Sequence, residues 1–123
     1  MDGWLVAAAG VSLLTCAIHV FAGGPTVARP LLAAKDLEPV PMYTSYYCWH
    51  MVSIVLLAMP IGFGLGAFFE ESRDLAVLMT ALAAAFAAWS LILVAWKYRH
   101  PLRLPQWTLF VPIAVLGALG LWQ

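Results

Sequence analysis

Four stretches of the chain are apolar for about the length of a membrane span, and short polar segments separate them. The first, residues 4–22, reads WLVAAAGVSLLTCAIHVFA. The second, about 44–69, ends MPIGFGLGAFF, and the third, about 74–97, is centred on VLMTALAAAFAAWSLILVAW. The fourth, 106–122, QWTLFVPIAVLGALGLW, is the shortest and would cross with little tilt. A helix needs roughly 20 mainly apolar residues to cross the hydrocarbon of a bilayer. Lipid offers no hydrogen bonds to the backbone, so runs of this length predict helices rather than isolated strands. The expected fold is all-α and integral to the membrane, a four-helix transmembrane bundle forming a single domain over residues 1–123.

Composition supports the same solvent. Hydrophobic residues make up 64% of the chain and charged residues 10%, against roughly 25% charged in an average soluble domain. That is too few charges to cover a soluble globule, and a bacterial inner membrane or its equivalent is the expected location. The formal net charge is zero, which gives no reason to expect a nucleic-acid partner. The opening MDGWLVAAAG has an acid and no Lys or Arg, so the positive start of a cleaved signal peptide is missing and the first span should be retained. Cys16 and Cys48 both lie in apolar runs and read as free thiols.

Four spans put both termini on one side, together with the EESRD loop and its Arg73. The other side carries Arg29, Lys35, Lys97, Arg99 and Arg103. Cations favour the cytoplasmic side, which places both termini on the non-cytoplasmic face. Between the first two spans, GGP at 23–25 is expected to end one helix and open another. In TVARPLLAAKDLEPVP, Val27, Leu31 and Leu32 can share a face, which predicts a short helix lying in the interface.

Small residues recur where spans must touch. Gly62 and Gly66 form a G-x-x-x-G pair, the third span is rich in alanine, and Gly117 and Gly120 lie in the fourth. Such residues let helix backbones approach closely, either within a monomer or against a partner or second copy. Pro60 and Pro112 are expected to loosen their helices.

Candidate chemistry gathers on one side. His19 ends the first span and His50 opens the second; these helices run antiparallel, so the two histidines sit at similar depth, and His100 follows the third span on the same face. Cys16 and His19 are three apart and share a helix face, as do Tyr46 and His50, four apart. Cys48 is two from His50, roughly 200° around a helix, and cannot face the same ligand. The inward set is therefore Cys16, His19 and His50, with Tyr46 as a hydrogen-bond partner. Two imidazoles on facing helices can hold haem iron. Imidazole with a sulfur ligand suits zinc or copper, and imidazole with a Tyr hydroxyl can bond a quinone-like head. The same histidines could also be interfacial groups bonded to one another or to backbone.

No span carries Asp, Glu, Lys or Arg in its centre, which argues against a proton-coupled or charged-substrate transporter. A nucleophile with a base beside it, a phosphate loop and an H-E-x-x-H helix are all missing, so an enzyme is not the expected class. Trp4, Trp107 and Trp122 at span ends, with Trp49 and Trp96 near the other interface, read as anchors.

His19, the segment Tyr46 to His50, and Pro112 with Gly117 also carry a resemblance. With them the chain resembles the small four-helix membrane family catalogued as domain of unknown function four-two-three. The resemblance implies a fold and a membrane location, and no activity. The expected function is a non-enzymatic membrane protein that binds a haem, metal ion or quinone-like ligand at the His19–His50 pair near the cytoplasmic face. The alternatives are an accessory subunit packing through its Ala/Gly faces and a small transporter of a neutral substrate.

Overall fold

The computed structural model describes residues 1–123, and every element is helical. The first helix runs Gly3–Ala33, the second Pro39–Phe68, the third Arg73–Trp96 after a 3₁₀ turn at Glu70–Ser72, and the fourth Gln106–Trp122. The first packs on the second and the fourth, and the third packs on the second and the fourth, which closes an up-and-down ring of four. The first three are long and apolar enough to cross a membrane; the fourth is an apolar helix of 17 residues.

The largest departure from expectation lies at GGP. These residues do not end the first helix, and no separate interfacial helix follows. Instead Gly3–Ala17 is α-helical, Ile18–Ala28 widens into a π-helix, and Arg29–Ala33 returns to α. At the end of the wide stretch the Arg29 N–H donates to the Gly24 carbonyl, five residues back. Pro25 explains the change. In an α-helix its ring would meet the carbonyl four residues back, and it has no N–H to donate. Shifting the bonds by one residue lets the helix pass the proline while keeping its backbone paired. The second helix likewise begins five residues earlier than the apolar run, at Pro39, because proline suits a first helical turn whose N–H groups lack intrahelical partners. Only residues 34–38 remain as the connection.

Packing is concentrated at the end holding the termini. Leu5, Ala8, Leu56, Met59, Phe63, Ala76, Ala83 and Ile113 are buried there and through the middle of the bundle. Glycines set the spacing. A Cβ on Gly62 would lie 2.7 Å from Met79 Cγ, and one on Gly66 would lie 2.7 Å from Ala76 Cβ. Gly117 abuts Thr80 and Phe63, and Gly120 abuts Leu5. Polar ties close the same end. Asp2 accepts from the N–H groups of Trp4 and Leu5 through Oδ1, its own N–H reaches Ala67 O at 3.0 Å, and Arg73 Nη2 donates to Gly120 O at 2.7 Å. The outward surface is apolar, with Leu14, Ile54, Ile61, Phe68, Val77 and Val115 all exposed.

Candidate functional site

At the opposite end the first two helices project beyond the others. The second helix is 30 residues and the fourth 17, or about 45 Å against about 26 Å at 1.5 Å per residue. The projecting pair encloses a cleft of about 490 Å³. The π-helical stretch and Arg29 form one wall; Tyr46, Trp49, His50 and Ser53 form the other.

The histidines are near each other in this region but do not face one another as a pair. His19 reaches across to Trp49 and Ser53. Its ring stacks on the Trp49 indole with centroids 3.9 Å apart and planes 18° from parallel. Its Nε2 lies 3.0 Å from Ser53 Oγ. Trp49 and Ser53 are four apart on the second helix, so they form one ridge, and His19 rests on it. Ser53 Oγ donates to the Trp49 carbonyl at 3.1 Å. With its proton so used, the hydroxyl oxygen accepts, and His19 donates from Nε2–H. In that tautomer the nitrogen has no lone pair left for a metal.

His50 is one residue on from Trp49, about 100° around the helix, and points elsewhere. It is exposed and lines the cleft. Tyr46 meets it edge to face, with centroids 4.6 Å apart and planes at 87°. Cys16 is buried in the core below, and Cys48 is exposed. No group of three or more His, Cys, Asp and Glu side chains stands close enough to hold a metal ion. The expected ligand set of Cys16, His19 and His50 is thus not assembled. The spacing argument assumed an unbroken α-helix, whereas the helix changes pitch at Ile18, between Cys16 and His19. An axial His19–His50 pair for haem is not shown: Nε2 of His19 lies against Ser53 Oγ and its ring stacks on Trp49.

Three contributors were not anticipated. Trp49 is more than an interfacial anchor: it covers His19 and sits over Gly23, where a Cβ would lie 2.7 Å from Trp49 Cη2. The signal was available: Gly23 follows His19 by four and lies on the same side of the helix. Ser53 follows Trp49 by four. Arg29 belongs to the first helix and lines the cleft, where its position in the sequence suggests only a loop cation. His100 belongs to the third connection, edge-on to Tyr98 with centroids 5.4 Å apart, and takes no part in the cleft. The glycines 62, 66, 117 and 120 all meet neighbouring helices of the same chain, so these positions offer no face to a partner.

The cleft presents four polar side chains, Arg29, Tyr46, His50 and Ser53, beside apolar walls that include Val20, Phe21 and Leu32, and no carboxylate lines it. Compared with protein-family profiles, with curated proteins and with solved structures, the chain matches none.

Proposed function

We propose that the protein is a non-enzymatic integral membrane protein whose four helices all cross the bilayer, and that the cleft between its first two helices binds an amphiphile with an oxygen-rich polar head, the broad class to which quinones belong. The carrying observation is the lining: Arg29, Tyr46 and His50 can donate hydrogen bonds into the cleft, no acid lines it, and apolar walls lead away from them. A binding site for such a molecule needs a mostly apolar concavity with a few convergent polar groups. The depth also suits it. About 30 Å of hydrocarbon measured from the end with the termini brings the surface of the bilayer close to His50, so a polar head there would lie at the interface and its tail in the membrane. Five of the six cations lie at the cleft end, which by the positive-inside rule makes it cytoplasmic and both termini non-cytoplasmic. The likeness to the small four-helix family rests on His19, Tyr46–His50 and Pro112 with Gly117 and adds the same fold and location to the proposal.

The test is binding of a short-tailed benzoquinone to the detergent-purified protein, followed by tryptophan quenching. A Cβ on Gly24, which lines the cleft, meets nothing within 4 Å. Gly24→Leu should therefore fill the cleft without disturbing the fold. Saturable binding that is lost in Gly24→Leu and weakened at least threefold in His50→Ala supports the reading. Unsaturable quenching, or equal affinity in all three proteins, overturns it.

A further inference from the structure

Resting on the cleft as a binding site, we propose that its preferred head is anionic, and that the ligand is an acidic phospholipid of the cytoplasmic leaflet, held through its phosphate by Arg29 with Tyr46 and His50.

Arg29 is the only formally charged group lining the cleft. It stands at the end of the π-helical stretch, where the backbone passes back into α. Guanidinium matches phosphate oxygens with paired N–H donors and loses less on leaving water than an ammonium would. Across from it Tyr46 offers a hydroxyl and His50 an imidazole, both of which can donate. A neutral head would use these donors as well, but it would leave a cation at the mouth without a counter-charge. The chain supplies no acid to the cleft.

The surrounding charge points the same way. The cleft end carries Arg29, Lys35, Lys97, Arg99 and Arg103 against Asp36 and Glu38, whereas the end with the termini carries Asp2, Glu70, Glu71 and Asp74 against Arg73. A basic rim of this kind draws anionic headgroups from the cytoplasmic leaflet. The apolar lining selects a lipid over a free anion. Val20, Phe21 and Leu32 would contact an acyl chain, and the cleft is open and not an enclosed cavity. Inorganic phosphate would gain the polar contacts and none of the apolar ones.

The experiment titrates purified protein in neutral detergent with short-chain phosphatidylglycerol, with phosphatidylcholine of the same chains, and with inorganic phosphate. The benzoquinone serves as the competing probe. Phosphatidylglycerol should displace it at least tenfold more effectively than phosphatidylcholine. Arg29→Gln should abolish that preference; Lys35→Gln, outside the lining, should keep it and leave quinone binding within about twofold. Equal displacement by the two lipids, or a preference that survives Arg29→Gln, overturns the proposal. So does phosphate acting as strongly as phosphatidylglycerol, which would make the site one for a free anion. Quinone binding without any lipid preference sinks the anionic head and leaves the cleft reading standing. The absence of both sinks the two together. Arg29 is exposed, and an unchanged melting curve for Arg29→Gln confirms that the variant remains folded.

Discussion

The two ends of this bundle are built from opposite solutions to the same problem. Where the termini meet, four helices touch through glycine and alanine, and their ends are tied by Asp2 and Arg73. At the other end two helices project, and their contact is made by an aromatic stack and one hydroxyl. Helices in lipid gain little from burying apolar side chains, so they associate through close backbone approach or through polar contacts. The closed end uses the first device. The open end uses the second, and that leaves room for a cleft. The difference shows that large aromatic groups can hold helices together while keeping them apart.

The comparison breaks most visibly at Gly66. A Cβ there would lie 2.7 Å from Ala76 Cβ, 3.5 Å from Ala76 N and 3.4 Å from Ser72 O, all of them fixed to backbone. Gly64, two residues earlier on the same helix, has nothing within 4 Å. Gly66→Leu is expected to cost about 3 kcal/mol, since over-packing against backbone has no cheap relief. Gly64→Leu should stay within about 0.5 kcal/mol. Unfolding in mixed micelles, followed by far-ultraviolet circular dichroism, measures both. Equal losses would mean that the closed end is not held by close approach.

The parts legible in the sequence were those set by length and composition. Four apolar runs became four helices, and the ends of the third and fourth moved by a residue or less. Gly62, Gly66, Gly117 and Gly120 were recognisable because a small residue in an apolar run has few uses besides proximity. The passage through GGP was not legible. Glycine and proline stop helices in water, where a freed backbone group finds a new partner. In an apolar setting the cheaper course is a change of pitch, and nothing in local propensity announces it. The expected metal set is not gathered either: Cys16, His19 and His50 form no group able to hold an ion, and the widening starts between Cys16 and His19. Tyr46 and His50 lie on an unbroken α-helix and are neighbours there, but they meet edge to face and not through the expected hydrogen bond.

At the open end the corresponding substitution has a smaller effect. Gly23 meets the tip of the Trp49 ring, a side chain that can swing away. Gly23→Leu is expected to lower stability by about 1 kcal/mol, at the low end of the over-packing range. The helix content should persist, whereas the near-ultraviolet dichroism from the stacked indole should fall. A loss as large as that of Gly66→Leu would show that the open end is as rigid as the closed one.

The smallest expected effect tests the hydroxyl. Ser53→Ala removes the acceptor for His19 Nε2–H and leaves the stack on Trp49 in place. Hydrogen bonds between membrane helices average about 0.6 kcal/mol, because a freed group often finds another partner. The stability change should be of that order, near the limit of a melting experiment, so the tautomer is the better readout. With the Ser53 proton on the Trp49 carbonyl, the contact to His19 calls for the tautomer protonated on Nε2. Nitrogen-15 spectra of labelled histidine should therefore show His19 as one fixed tautomer. Ser53→Ala should convert it to a mixture, while His50, which does not touch Ser53 through a hydrogen bond, keeps its spectrum. If His19 were already mixed in the wild-type protein, the Ser53 contact would not hold the ring. The stack alone would then join the projecting helices, and Nε2 would be free to bind a ligand.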